Sequence, residues 1–326
     1  MANRQIDVFN GDADGLCALH QLRMAEPCDQ AELVTGVKRD IKLLSRLHED
    51  GVTGADITVL DISLDSNRVA LESLLGSNRI RYIDHHYAGP LPVSANLEAH
   101  IHPEPELCTA LIVDRLLAGR YRPWAVVGAF GDNLHDAARR AAAFLELDAA
   151  DLTNLEELGE LLNYNGYGKS TSDLYFHPAT LYSAMRPFAD PRDFLANSPI
   201  LAKLRVGYRA DWDLARTFQP IRESRAIRAY RFPALPWCRR IAGVYLNERA
   251  RADRQRAQVL LVDNDDGTML VSLRAPLENR RGADTICRAF PTGGGRPAAA
   301  GINELPERLL PEFFQALDTA YTTTYL

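Results

Sequence analysis

Four apolar segments of this chain each end on carboxylate or imidazole side chains, and that arrangement limits what the chain can fold into. Ile6-Asp7-Val8-Phe9 runs into Asn10-Gly11-Asp12-Ala13-Asp14-Gly15. Ile57-Thr58-Val59-Leu60 ends at Asp61, and Ile80-Arg81-Tyr82-Ile83 ends at Asp84-His85-His86. Trp124-Ala125-Val126-Val127-Gly128-Ala129-Phe130 ends at Gly131-Asp132. The first three segments are rich in strand formers. Helix-like stretches at 16–22, 41–47 and 66–75 separate them and the strand-like run from Glu32 to Val37. Such βαβ alternation predicts an α/β fold: a mostly parallel sheet with helices on both faces. Open α/β sheets bind ligands beyond the carboxyl ends of their strands. One carboxylate there is often a helix cap or a turn residue. Four such ends, with Asp-x-Asp and Asp-His-His among them, are more than caps require.

Carboxylate and imidazole with few thiols suit Mn²⁺ or Mg²⁺ better than zinc. Two such ions, roughly 3.5–4 Å apart, clamp the attacking and leaving oxygens of a phosphoryl displacement. They need a shared carboxylate, and Asp61, isolated on its own strand, is the natural bridge. The five cysteines (Cys17, Cys28, Cys108, Cys238, Cys287) are scattered and form no Cys-x-x-Cys pair. Neither a zinc site nor a disulfide framework is suggested.

The 326 residues suffice for two domains. From 107 to 162 the pattern is mainly helical. Pro178, Pro187, Pro191, Pro199 and Pro220 then punctuate short apolar pieces. The division expected is 1–188, a helical linker at 189–225, and a smaller α/β domain at 226–326. In that last domain, 240–246 reads as a strand. Gln258–Val262 and Met269–Leu273 flank Asp265-Asp266-Gly267 as a hairpin, and 283–289 and 307–320 read as helices.

Asp12-Ala13-Asp14-Gly15, Asp61, Asp84-His85-His86 and Gly131-Asp132, in that order, resemble the DHH phosphoesterase superfamily. Far downstream, Gly293-Gly294-Gly295-Arg296-Pro297-Ala298-Ala299-Ala300-Gly301 resembles the glycine motif of the DHH-associated C-terminal domain. The resemblance spans most of the chain. It implies one metal ion on Asp12 and Asp61, and another on Asp14, Asp61, His85 and Asp132. It further implies that His86 faces the scissile phosphate and that Asp84 orients a histidine. Arg274, Gly293, Gly294, Gly295 and Arg296 become the expected substrate contacts. The ions implied are two divalent cations, Mn²⁺ ahead of Mg²⁺.

The chain departs from the family at the first ion. NanoRNA-degrading relatives place His where this chain has Val8, and RecJ-type relatives place Asp where it has Asn10. Asn10 either lends a neutral amide oxygen to the first ion or reaches it through water. Arg296 stands where the glycine motif usually has His.

The variant motif Asn10–Gly15, with Asn163-Tyr164-Asn165 downstream, is most similar to a bacterial branch that hydrolyses the linear dinucleotide pGpG. The expected function is a two-metal phosphodiesterase cutting pGpG to GMP and ending cyclic di-GMP turnover. The enzyme alternatives are an oligoribonuclease acting on very short RNA and a phosphatase of 3′-phosphoadenosine 5′-phosphate. The non-enzyme alternative is a nucleotide-binding sensor with a degenerate metal site. A net charge of −6 disfavours a partner as long as a nucleic acid. The expected partner is a small linear nucleotide, not a membrane, with a homodimer left open. No apolar run approaches membrane-span length, and 1–5 pass directly into a strand without a signal-peptide core, so the expected location is cytoplasmic. His20, His100 and His102 read as ordinary core or surface histidines, and Tyr167 reads as a base-stacking or hinge-packing aromatic.

Overall fold

Strand β1 (Arg4–Phe9) is central because its last four residues, Asp7 among them, are fully buried. A strand buried on both faces belongs inside a helix-covered parallel sheet. The computed structural model describes residues 3–322. The chain divides into two compact units, Met1–Val206 and Gly207–Leu326.

In the first unit β1 is followed by α1 (Ala13–Ala25), β2 (Glu32–Thr35), α2 (Leu43–Glu49) and β3 (Ala55–Leu60). Then come α3 (Leu64–Leu74), β4 (Arg79–Asp84) and β5 (Leu97–Ile101). The five strands form one sheet in the order β2-β1-β3-β4-β5, and every pairing is parallel. One face carries Ile6, Val8, Ile57, Val59, Ile80 and Tyr82, which share a core with Leu43, Leu44 and Leu47 of α2 and Leu64, Leu71 and Leu74 of α3. Side chains alternate along a strand, so Asp7 and Phe9 point the other way. That face meets α1, whose Arg23 Nε donates to Asp7 Oδ2 at 2.9 Å.

Helices α4 (Thr109–Leu116), α5 (Arg122–Gly131), α6 (His135–Ala142) and α7 (Ala149–Gly166) follow, as the mainly helical pattern predicts. Helices α8 (Pro178–Met185), α9 (Pro191–Asn197) and α10 (Pro199–Ala215) each open on a proline, a residue already shaped for the first helical turn. Helix α1 packs against α4 and α5, and α5 packs against α7. Its Ala13–Leu22 stretch is wholly buried, which explains why α1 lacks a polar face.

The second unit contains β6 (Arg222–Glu223), β7 (Ile227–Phe232), α11 (Pro236–Ala252), β8 (Ala257–Asp263) and β9 (Thr268–Arg274). It continues with α12 (Ala283–Arg288), β10 (Gly293–Arg296), β11 (Ala299–Pro306) and α13 (Leu310–Thr322). Its mixed sheet runs β10-β11-β9-β8-β7-β6. The expected hairpin is β8–β9, antiparallel. The strand expected at 240–246 is instead the middle of α11. Pro236 sits in the first helical turn, and the Arg/Ala/Glu-rich stretch beyond Leu246 carries the helix on. Ile241, Val244 and Tyr245 look strand-like but pack as a helix face. The strand is the earlier β7, parallel to β8, so α11 is the crossover that a parallel pair needs. Among the described residues no helix is long and apolar enough to cross a membrane.

His20 lies in the core of the first unit, not near the chemistry. It stacks edge-on to Trp124 at 4.5 Å, its Nε2 donates to the Phe188 carbonyl at 2.8 Å, and burial lowers its pKa to about 4. Trp124 is 0% exposed and its indole N–H reaches the Ala189 carbonyl at 2.9 Å. Trp124→Ala is expected to cost about 3–5 kcal/mol of stability in a denaturant titration, with Trp124→Phe costing clearly less. Equal losses for both would contradict the packing described.

Candidate metal centre

The carboxyl ends of β1, β3 and β4 deliver their acids to one place. Asp12 follows β1 and caps α1, its Oδ1 accepting from the N–H groups of Asp14 and Gly15 at 3.1 Å each. Asp14 sits in the first turn of α1. Its two oxygens accept from the first two backbone amides of α4: Thr109 N–H at 2.8 Å and Ala110 N–H at 2.7 Å. Partial positive charge at a helix N-terminus favours a carboxylate there. Asp61 directly follows β3 with φ +58, a left-handed conformation uncommon for a residue with a side chain and typical of functional turns. Its Oδ1 accepts from the Thr109 hydroxyl at 3.3 Å. Asp132 caps the C-terminus of α5.

His85 faces these acids. Its Nε2 lies 3.3 Å from Asp61 Oδ1, 3.8 Å from Asp14 Oδ2 and 3.8 Å from Asp132 Oδ2. Its Nδ1 is 2.8 Å from the Leu107 carbonyl. A carbonyl only accepts, so Nδ1 carries the proton and a neutral ring keeps the Nε2 lone pair for a ligand. His86 Nδ1 is 2.7 Å from Asp84 Oδ1 and 3.9 Å from Asp61 Oδ1. Asp84 therefore orients His86. Among the described residues two overlapping sets of donors have metal-ligand spacing: Asp14, His85 and Asp132, and Asp61, His85 and His86. The donors are hard oxygens plus one or two imidazoles, a set that fits Mn²⁺ or Mg²⁺.

Electrostatics argue for a cation here. Asp12, Asp14, Asp61 and Asp84 are all at most 2% exposed. Burial first, then the charges on Asp14 and Asp12, pushes the Asp61 carboxyl well above the usual carboxylate range. Burial also raises the Asp14 carboxyl, and the neighbouring charges on Asp132 and Asp12 push the same way. Like charges buried together disfavour joint ionisation unless positive charge is supplied.

One charged residue at this site escaped the sequence reading. Lys38, in the loop after β2, puts its ammonium on Asp12 Oδ2, 3.1 Å from Asn163 Oδ1 and 3.5 Å from Asp132 Oδ1. Burial works against its charge, yet Asp12, with Tyr167 and Asp132, outweighs it and holds the ammonium well above its usual pKa. The available signal was register. Phe9 pairs with Thr35 in the parallel β1–β2 ladder, so Asp12 and Lys38 each lie three residues beyond a paired position. Asn10, buried, donates its amide Nδ2 to the Lys38 carbonyl at 3.4 Å, and its Oδ1 has no hydrogen-bond partner. Tyr167 lies beside Lys38, 5.7 Å from ring centroid to Nζ. Asn165 instead pins the backbone of Phe176 through two bonds of 2.9 and 3.1 Å. His100 and His102 pair with Glu98 and Glu104 in this unit.

The remaining expected residues belong to the second unit. Arg274 ends β9 and its Nε donates to Asn247 Oδ1 at 2.7 Å. Gly293, Gly294, Gly295 and Arg296 form β10, antiparallel to β11. Gly295 has φ +136, and a Cβ there would sit 2.4 Å from Ala300 Cα. Close strand packing is thus one reason for this glycine. Arg296 is exposed.

No protein-family model matches the chain, and no curated protein does. Solved structures do. A DHH-domain protein assigned to a family of ribosomal proteins aligns over 97% of this chain and 86% of its own, with 14% identity and a TM-score of 0.61. The pGpG-specific phosphodiesterase PggH from Vibrio cholerae aligns over 98% of this chain and 99% of its own, at 13% identity and TM-score 0.56. The exonuclease RecJ bound to manganese aligns over 98% and 90%, at 17% identity and TM-score 0.52. The succession of a parallel-sheet unit and a mixed-sheet unit thus finds its counterpart across nearly the whole length, and the chain has the fold of the DHH-domain proteins.

Proposed function

We propose that this chain is a metal-dependent phosphodiesterase that hydrolyses a short linear nucleotide, with pGpG cut to GMP as the reaction. The observation that carries the chemistry is His85 Nε2, its proton placed on Nδ1 by Leu107, turned toward Asp14, Asp61 and Asp132. Those four residues would hold a divalent ion, Mn²⁺ ahead of Mg²⁺; manganese is the metal of the similar RecJ structure. Such an ion supplies Lewis-acid charge to a phosphoryl oxygen and acidifies water. Asp61, turned back by its left-handed backbone and held by Thr109, presents its Oδ1 to His85 Nε2 at 3.3 Å. His86 is kept rigid by Asp84, and its Nε2, when protonated, donates to the charge developing on the scissile phosphate. The choice of pGpG rests on the Asn10–Gly15 motif and on the full-length similarity to the Vibrio enzyme.

A hydrolysis screen across pGpG, pApA, longer RNAs and 3′-phosphoadenosine 5′-phosphate, with and without Mn²⁺, tests the reading. Metal-dependent turnover greatest on pGpG is expected. Turnover greatest on longer RNA, or none on any substrate, would sink it.

Single substitutions separate the roles. Asp61→Asn is expected to abolish turnover and metal uptake while circular dichroism shows the fold intact; near-normal turnover with Mn²⁺ would refute the assignment. His85→Ala is expected to lose the ion. His86→Ala is expected to keep it and lose about 10²–10³ in kcat, as when one donor to a developing oxyanion is removed. Equal metal loss in both variants would mean that ligand and phosphate contact had been exchanged.

Arg296 is assigned to the substrate. Arg296→Ala is expected to raise KM for pGpG by about one to two decades, the worth of a charge-assisted contact. Metal content should not change, because a guanidinium has no lone pair to offer. A loss shared with pApA identifies a phosphate contact and a loss confined to pGpG identifies base reading. No change with either removes the assignment.

A further inference from the structure

We propose that the Lys38 ammonium takes the place of one of the two divalent ions expected from the sequence, so that the protein works with a single metal ion and a built-in lysine cation. The inference rests on the metal reading above. It starts from Asp12, the residue the first ion would need. One Asp12 oxygen is taken by the Asp14 and Gly15 amides at 3.1 Å, and the other is taken by Lys38. Neither donor set with metal-ligand spacing includes Asp12. Asp132 is split in the same sense: Oδ1 faces Lys38 at 3.5 Å and Oδ2 faces His85 Nε2 at 3.8 Å. It thereby joins the lysine half of the cluster to the imidazole half.

Lys38 is built into this position rather than reaching it from the surface. Its backbone N–H donates to the Gly166 carbonyl at 2.8 Å, and its own carbonyl accepts from Asn10 Nδ2 at 3.4 Å. The loops after β1 and β2 are in direct contact, since a Cβ on Gly11 would lie 2.0 Å from the Gly36 carbonyl oxygen. Asn163, from the last turn of α7, supplies the third oxygen around the ammonium at 3.1 Å.

This arrangement accounts for Asn10. An aspartate there would turn a second acceptor toward the Lys38 carbonyl, where only a donor fits. The amide at position 10 thus fits the backbone of the residue that carries the ammonium. Charge agrees. Asp12, Asp14, Asp61 and Asp132 offer four negative charges, which one dication and Lys38 nearly balance. A second dication on Asp12 would be forced against the ammonium at short range, where repulsion is severe in a buried setting.

Mn²⁺ titration of the full chain, read by calorimetric stoichiometry and electron paramagnetic resonance, tests this without substrate. The native protein and Lys38→Arg should each bind one ion and give a mononuclear spectrum. Lys38→Ala, with its fold checked by circular dichroism, should bind two and give the exchange-coupled spectrum of a pair. Two ions in the native protein, or one ion still in Lys38→Ala, would overturn the lysine inference and leave the metal reading standing. No ion in the native protein would overturn both.

Discussion

Repulsion among buried carboxylates at the carboxyl edge of a parallel sheet is the constraint on which the rest of this structure depends. Strand ends and helix ends deliver Asp12, Asp14, Asp61 and Asp132 to a site where Asp12, Asp14 and Asp61 are nearly inaccessible to water. Left uncompensated, the charges would be driven toward neutral acids, and the raised pKa values of Asp14 and Asp61 show that pressure. The surroundings answer it with partial or full positive charge from every side. The α4 amides hold Asp14, the α1 amides hold Asp12, and Lys38 joins Asp12 to Asp132. What remains is a set of oxygens and one imidazole lone pair that call for a divalent ion.

The same constraint explains the local backbone. A strand that simply continued past Leu60 would carry the Asp61 side chain along the sheet. Its positive φ turns the chain instead, and Thr109 holds the carboxylate where it lands. Orientation of the two adjacent histidines follows from their outer partners. Leu107 takes one ring nitrogen of His85 and Asp84 takes one of His86, so neighbours in sequence are held by different partners.

Most of the first unit was legible from its strands, because apolar runs closed by acids are both the element signal and the site signal. Asp-His-His after β4 and Asp-x-Asp after β1 identified the acids and imidazoles that the fold gathers. Lys38 was not legible in that way. It stands in Thr35-Gly36-Val37-Lys38-Arg39-Asp40, where a lysine beside other charged residues reads as solvated surface. Only the parallel register of β1 and β2 brings it to Asp12. The partner of Asn10 was hidden for the same reason, since its hydrogen bond crosses between loops 28 positions apart. In the second unit, local propensity misled at 240–246. Strand-forming side chains there cover one face of a helix whose limits are set by Pro236 and by the crossover between β7 and β8.

On the function proposed above, one half of the acidic cluster is neutralised by a bound divalent ion and the other half by Lys38. Anomalous diffraction from crystals grown with Mn²⁺ tests it most directly. One strong manganese peak is expected among Asp14, Asp61, His85 and Asp132, with the Lys38 ammonium on Asp12 and no peak between them. A second manganese peak at Asp12, or no peak beside His85, would contradict it.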